Sequence, residues 1–176
     1  MQGPATSVLE TVRLRLRPLV GEDAPFIVEL LNEPGWLRFI GDRGVRDLET
    51  ARAYIENGPR AMYARFGFGL YCVESKQGTP LGMCGLLKRD NLEHVDLGFA
   101  FLARHQGLGY AREAAAAALA EARALGLAQV AAITDPDNRR SIHLLESLGF
   151  QAAGRRRLVP DAPELSLFLW QAVPSS

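Results

Sequence analysis

Two glycines between a strand-like run and a helix-like run constrain this chain more than any other feature. Gly107 and Gly109 separate the apolar run Val95 to Leu102 from the alanine-rich run Arg112 to Leu125. Glycine supplies turn geometry and close backbone approach that residues with a Cβ resist. The first turn of a helix also carries N–H groups without partners and the positive end of the helix dipole. The junction therefore predicts main-chain binding of a pyrophosphate, although a plain strand-to-helix turn fits it equally well.

The composition is that of one globular domain with a substantial core. The chain has 176 residues, of which 48% are hydrophobic and 23% charged, so we expect a single domain over residues 1–176 with an ordered core from about 11 to 172. Twenty basic and twenty acidic residues give a net charge of +0, which argues against a nucleic-acid or membrane partner. Because Met1 to Thr11 lacks the pattern of a secretory signal and no apolar run is long enough to span a bilayer, we expect a cytoplasmic protein.

The N-terminal third predicts a strand followed by two short helices. Polar and apolar residues alternate from Arg13 to Arg17, which predicts a strand whose three arginines form a solvated face. A short amphipathic helix begins near Pro25, and we expect Pro34-Gly35 to stop it. Trp36 to Arg46 is expected to be irregular, after which Asp47 caps a second helix.

The rest of the chain predicts an antiparallel meander and then a parallel crossover. Short links between the first strand-like runs favour hairpins, whereas a helix between Val95–Leu102 and Gln129–Thr134 makes those two strands parallel. The fold class is therefore α/β (α+β), with a mixed, mostly antiparallel sheet flanked by helices. A Rossmann domain is disfavoured because its glycine turn follows the first strand of a parallel sheet. The remaining strands are expected at Phe68 to Glu74, Leu81 to Arg89, Gln151–Leu158 and Glu164–Trp170, and the late helices at Gly109 to Leu125 and Arg139 to Leu148.

Four segments, in consistent order along the chain, resemble one enzyme family. Arg104-x-x-Gly107-x-Gly109 resembles the acetyl-CoA signature of the GCN5-related N-acetyltransferases (GNAT), and Asn138 to Phe150 resembles a second and more specific segment of that family. Arg13 to Pro18 and Val95 to Phe99 match as well, and together the segments resemble the ribosomal-protein-alanine (RimJ/RimL-like) branch. The resemblance implies a GNAT-like domain with a splayed parallel central pair.

The same resemblance implies acetyl-CoA as the cosubstrate, held by the cleft between the parallel strands and by the glycine turn. The backbone near Phe101 and Leu102 would pair with the pantetheine arm. Arg104 would add charge or face solvent, and Asn138 would hold pantetheine or cap a helix. No metal is implied, because Cys72 and Cys84 lack metal-type spacing. We interpret both cysteines as buried thiols. The expected cofactor-binding residues are Phe101, Leu102, Arg104, Gln106, Gly107, Leu108, Gly109, Tyr110, Ala111 and Asn138.

Transfer of acetyl from a thioester to an amine requires a proton acceptor for the amine and a proton donor for the thiolate. Asp96 is the candidate base, or a binder of the cationic amine, with Glu93 and His94 as alternatives. Ser141 is the candidate proton donor, where a plain helix-face serine is the competing interpretation. Trp36 and Phe39 are candidates for contact with the acceptor, or alternatively core residues.

The resulting hypothesis is an acetyl-CoA-dependent N-acetyltransferase that acts by direct attack in a ternary complex. The acceptor would be a primary amine, either a small molecule or a protein N-terminus. A non-catalytic CoA-binding or sensing domain is the alternative from another class, and a nucleotide-binding oxidoreductase is the third. The oligomeric state, monomer or dimer, stays open.

Overall fold

A computed structural model describes residues 8–172 of the chain, which form one sheet flanked by helices. The first seven and last four residues of the expected 1–176 domain lie outside the described residues. No helix in the described range has the length and apolarity to cross a bilayer. The strands are β1 (Leu9–Glu10), β2 (Leu14–Arg17), β3 (Leu70–Ser75), β4 (Pro80–Leu87), β5 (Asp96–Phe101), β6 (Gln129–Thr134), β7 (Gln151–Arg156) and β8 (Leu165–Gln171). The α-helices are α1 (Ala24–Leu31), α2 (Pro34–Phe39), α3 (Leu48–Ile55), α4 (Ala61–Phe66), α5 (Tyr110–Ala124) and α6 (Arg139–Ser147).

The strand order confirms the predicted mixed sheet. It runs β1-β2-β3-β4-β5-β6-β8-β7, and every neighbouring pair is antiparallel except β5 and β6. The parallel pair is joined by the crossover helix α5, as connections between parallel strands require. The glycine turn before α5 therefore lies at the centre of the sheet.

The segment after α1 differs from the prediction. Pro34 begins α2 instead of stopping a helix, and Trp36 to Phe39 is helical where irregular chain was expected. Proline suits the first turn of a helix because its missing N–H would have no intrahelical acceptor there. Farther on, Pro59 lies in a widened π-helical turn, Glu56–Arg60, that leads into α4, so the chain bends there and remains helical.

Helices cover both faces of the sheet. On β3, Tyr71 and Val73 belong to one hydrophobic cluster with α5, whereas Cys72 belongs to the other cluster with α1 and α3. This division follows from the alternation of side chains along a strand. The α5 face that meets the sheet consists of alanines and one leucine, and the mostly small side chains let the helix lie close to β4 and β5. Its buried residues are Ala114, Ala115, Ala118, Leu119 and Ala122.

The prediction that all three arginines of this strand lie on a solvated face is wrong for Arg17. Its terminal nitrogens donate to both carboxylate oxygens of Asp23 at 2.8 and 2.9 Å, and its Nε donates to Glu74 at 2.9 Å. Asp23 and Glu74 are both buried. A buried carboxylate without a partner is costly, so Arg17 compensates two charges inside the structure. The alternation of arginines with leucines along β2 does not reveal Asp23 and Glu74 as partners of Arg17, because both lie on other elements.

Candidate active site

The parallel strands β5 and β6 diverge after a single point of pairing. Asp96 is the partner of Ala131, and the Ala131 N–H donates to the Val95 carbonyl at 2.8 Å. Beyond this point β5 continues against β4, and β6 continues against β8. The edge of β5 that faces β6 is left open from Gly98 to Phe101. An open strand edge offers N–H and C=O groups to an extended ligand.

The glycine turn lies at the end of this cleft. Gly107 and Gly109 have φ angles of +78° and +84°, a left-handed conformation that glycine adopts without the steric cost of a Cβ. The N–H of Gln106 bonds to the Ala103 carbonyl at 3.2 Å, and the Glu113 N–H bonds to the Gly109 carbonyl at 3.1 Å. The N–H groups of residues 107–112 have no acceptor within the described chain. The turn thus presents a run of free donors at the positive end of α5, as an anion site requires.

Arg13 fixes the turn from the neighbouring end of β2. Its guanidinium donates to the Leu108 carbonyl at 2.9 Å and to Glu113 at 2.8 Å, and it lies 4.5 Å from the centroid of the Tyr110 ring. These contacts tie the turn and the first turn of α5 to the sheet. Arg13 is exposed, as the prediction of a solvated face requires, and its contacts with the glycine turn are additional to that prediction. Arg15, paired with exposed Glu10, fits the prediction as well.

A groove of about 820 Å³ runs along the open edge of β5 to the glycine turn. The side chains that line this groove include arginines and histidines, and the acidic residue among them is Glu33. Among them, Arg140 donates to the Gln106 side chain at 2.6 Å, and Gln106 in turn donates to the Phe101 carbonyl at 2.9 Å. In a chain of zero net charge, this local excess of positive charge suits a polyanionic ligand. The basic lining residues are His105, Arg112, Arg139, Arg140 and His143.

A second cavity of about 490 Å³ adjoins the groove at the splay. It extends from α2 and α3 across the start of β5 to β6 and α6. Several residues line both spaces, so the cavity and the groove meet at a common junction. The shared residues are Trp36, Phe39, Ile40, Phe99, Ala100, Asn138 and Ser141.

Asp96 lines the cavity and is completely buried. Its carboxylate accepts hydrogen bonds from Nε of Arg89, at 3.2 Å to one oxygen and 3.3 Å to the other. Burial raises the pKa of Asp96 to about 6, and the nearby Arg89 and Lys88 charges only partly oppose this effect. A carboxyl group with a pKa near 6 is ionised at neutral pH and still a stronger base than an ordinary aspartate.

Ser141 lies in the first turn of α6, at the junction. Its N–H donates to Oδ1 of Asn138 at 3.2 Å, so Asn138 caps the helix while lining both spaces. The Ser141 hydroxyl has no hydrogen-bond partner within residues 8–172. It is therefore free to donate to a ligand at the junction.

Other residues singled out from the sequence lie away from these spaces. The side chains of Glu93 and His94 line neither of them. Arg104 pairs with Glu29 outside the groove, as a solvent-facing role predicts. Leu102 is buried in the core and Leu108 is exposed, so any contribution of theirs to the groove comes from the backbone.

The cavity residues not foreseen from the sequence include Arg43, Tyr54 and Arg89. They come from the loop after α2, from α3 and from the chain just after β4. No local motif surrounds any of them, and only the folded chain brings them together. Trp36 and Phe39, which were foreseen, line both the cavity and the groove, and Trp36 is also part of the core.

A splayed central pair with a glycine turn at its mouth is the arrangement of an acetyltransferase domain, and comparisons with known proteins give the family. Residues 13–151 match the acetyltransferase (GNAT) domain, so the chain belongs to the GNAT family of N-acetyltransferases. This family uses acetyl-CoA as acetyl donor. The chain is 33% identical over 152 residues to YkkB of Bacillus subtilis (strain 168), covering 82% of this chain and 86% of that protein.

Solved structures show the same fold. An acetyltransferase from Agrobacterium tumefaciens str. C58 superposes with a TM-score of 0.81 at 26% identity, covering 98% of both chains. A ribosomal-protein-S5-alanine acetyltransferase from Vibrio fischeri superposes with a TM-score of 0.77 at 16% identity, covering 94% of this chain and 96% of that one. The second likeness is one of fold alone.

Proposed function

We propose that this enzyme transfers acetyl from acetyl-CoA to a primary amine by direct attack, with both ligands bound together. The observation that carries the proposal is the junction between the groove and the cavity at Ser141 and Asn138. Two ligands, one in the groove and one in the cavity, would meet there. Holding two reactants in one orientation is itself a large part of catalysis in a transfer of this kind.

The groove fits the chemistry of acetyl-CoA. The free N–H groups of residues 107–112 suit the pyrophosphate, and the basic residues of the groove suit its charge. The open edge of β5 near Phe101 suits the amide groups of the pantetheine arm, for which the Gln106 side chain would have to release the Phe101 carbonyl. Acetyl-CoA supplies the thioester whose carbonyl carbon the amine attacks.

Asp96 and Ser141 have separate roles in this proposal. Asp96, fully buried behind Arg89, accepts the proton of the attacking amine through a water molecule. Ser141 donates its hydroxyl proton to the departing thiolate from the junction. Asn138 holds the start of α6, and so holds Ser141 in place.

Transfer through an acyl-cysteine is disfavoured by the burial of both thiols. Cys72 and Cys84 are the two cysteines of the sequence, and each is fully buried. Burial raises the pKa of Cys72 to about 12 and raises that of Cys84 as well, so neither forms a thiolate readily. Neither residue lines the groove or the cavity.

The test is the release of CoA thiol from acetyl-CoA in the presence of a panel of amines, with the acetylated product identified by mass. We expect release that depends on the amine, and a single-turnover reaction in which no acetylated protein accumulates. Calorimetric binding of CoA without transfer to any amine in a broad panel would instead support a CoA-binding or sensing domain. Failure to bind CoA would remove both interpretations.

A further inference from the structure

Arg43, Tyr54 and Arg89 form one polar wall of the acceptor cavity, here called the arginine wall. The guanidinium groups of Arg43 and Arg89 are both close enough to the Tyr54 phenol to favour its ionised form, although burial has the larger, opposite effect and raises its pKa. The three residues come from different elements but face one space. Their chemistry, two guanidinium groups and one hydroxyl, is that of a carboxylate-binding site.

The arginine wall has unused hydrogen-bond donors. Arg89 binds Asp96 through Nε, and its two terminal nitrogens have no partner within the described chain. Arg43 has neither an ion pair nor a side-chain hydrogen bond within residues 8–172. The Tyr54 hydroxyl, which is half-buried, likewise has no partner there. Arg43 is exposed and Arg89 is partly exposed, so water bonds to these donors in the free protein, and an anion in the cavity would accept hydrogen bonds from them in its place.

The loop that carries Arg43 is fixed to the rest of the structure. Asp42 and Arg46 form an ion pair across it at 2.6 Å, and Val45 is buried in the core. The Asn32 side chain donates to the Val45 carbonyl at 2.7 Å and accepts from Arg46 at 2.7 Å. Arg43 is thus held beside the cavity by contacts on both sides of it along the chain.

The remainder of the cavity is mostly apolar, and its acidic residues lie towards β6. Asp96 lies at the start of β5, next to Ala131 of β6, and Asp135 follows β6. Asp96 lies in direct contact with Arg89, and Asp135 lines the same space, so the cavity offers polar partners of both charges to a ligand with a positive and a negative end. The apolar lining includes Phe39, Leu70, Leu87, Leu158 and Leu165.

We propose that the acceptor is a small amine that carries its own carboxylate and an apolar side chain, as a hydrophobic amino acid does. This inference rests on the proposed acetyl transfer and specifies its acceptor. The carboxylate binds the arginine wall, the apolar side chain fills the cavity, and the amine points to the junction at Ser141. A residue at the N-terminus of a protein has an amide in place of this carboxylate and would leave the arginines without their anion.

Matched acceptors test the proposal: phenylalanine and leucine against their carboxamides and against short peptides that begin with the same residues. Thiol release is measured at several pH values, so that rates refer to the neutral amine in each case. We expect kcat/KM for the free amino acids to exceed that for the carboxamides and peptides by at least about tenfold, or about 1.4 kcal/mol.

Arg43→Gln supplies the second arm, with Arg52→Gln as its control. Arg52 lies on α3 but is exposed and outside the cavity. Arg43→Gln should lower kcat/KM for phenylalanine about tenfold, leave that for the carboxamide nearly unchanged, and spare CoA binding, while Arg52→Gln should change none of these.

The possible results separate the two proposals. Equal or faster acetylation of carboxamides or peptides, or equal losses for acid and amide in Arg43→Gln, would overturn the carboxylate assignment and leave acetyl transfer standing. Absence of acetylation for every amine tested, with CoA still bound, would overturn the proposed function itself.

Discussion

The groove and the acceptor cavity are built in different ways. The groove takes its binding groups mainly from backbone in one stretch, from the open edge of β5 to the first turn of α5. The cavity takes its polar groups from side chains as distant in sequence as Arg43, Arg89 and Asp135. In the proposed function, the ligand common to the family binds a contiguous main-chain feature, whereas the groups proposed to select the acceptor come together only through folding.

The largest effect is expected at Ser141, where the two regions meet. If its hydroxyl protonates the departing thiolate, Ser141→Ala should lower kcat by roughly 10²- to 10⁴-fold, the range for general acid catalysis, with little change in KM for either ligand. Steady-state kinetics with the best acceptor measure this. Ser75→Ala, at the end of β3 and remote from both spaces, is the control. A normal kcat in Ser141→Ala would reduce Ser141 to a residue of the helix surface.

The pH dependence of kcat/KM tests the proposed role of Asp96, which lines the cavity side of the junction. In the wild type, kcat/KM should fall more steeply below about pH 6, because Asp96 takes up a proton there in addition to the acceptor amine. Asp96→Asn should reduce kcat/KM by about 10² at neutral pH, within the usual range for a general base, and should lack the additional slope. If the pH profile of kcat/KM for Asp96→Asn runs parallel to that of the wild type at all pH values, the steeper fall at low pH belongs to another titratable group.

Asp96 also makes a prediction about stability. Its pKa in the folded protein, about 6, lies above the ordinary value of 3.8, so the folded state binds this proton more tightly than the unfolded state. The contribution of Asp96 to the free energy of unfolding is therefore largest below about pH 4 and declines as the pH rises towards 6. Urea unfolding across this range should show the free energy of unfolding of the wild type falling relative to that of Asp96→Asn as the pH rises, because the other carboxyl groups titrate equally in both proteins.

A smaller effect, confined to the groove, is expected from Gly107→Ala. A Cβ there would meet no protein atom within 4 Å, but it would stand beside the free N–H groups at φ +78°. We expect the Kd for acetyl-CoA to rise at least about tenfold, or about 1.4 kcal/mol, by calorimetry. Gly78→Ala is a matched control, since Gly78 has φ +87° and open space around it but lies in the remote hairpin. Both variants should lose similar stability, roughly 1–2 kcal/mol, so equal CoA affinities would contradict a role of the turn.

The sequence predicted those parts of the fold that depend on local periodicity or on a contiguous motif. Alternation and turn residues located the meander, and the crossover placed β5 and β6 parallel, as the structure confirms. Pro34 misled the prediction because proline both ends helices and begins them. Which of the two occurs depends on Trp36, whose burial against the core stabilises α2.

The candidate site likewise contains parts that the sequence predicted and parts that it did not. The glycine turn was foreseen because its neighbours in sequence are its neighbours in space. The partnership of Asp96 with Arg89 and the presence of Arg43 in the cavity were not foreseen, since each depends on contacts between separate elements. Arg17 shows most clearly that local sequence patterns do not reveal contacts between separate elements, because its partners Asp23 and Glu74 are 6 and 57 residues away.

The smallest expected effect comes from Arg13, which precedes β2 and whose side chain bonds to the glycine turn and to α5. Arg13→Gln removes the hydrogen bond to the Leu108 carbonyl, the ion pair with Glu113 and the contact with the Tyr110 ring. Because the ion pair is partly exposed, we expect acetyl-CoA affinity to fall only about three- to tenfold, or roughly 0.7–1.4 kcal/mol, with kcat unchanged. Arg15→Gln is the control two residues away, since Arg15 pairs with exposed Glu10. If the two variants bind acetyl-CoA equally well, the glycine turn holds its own shape, and the groove is even more independent of distant side chains than the structure indicates.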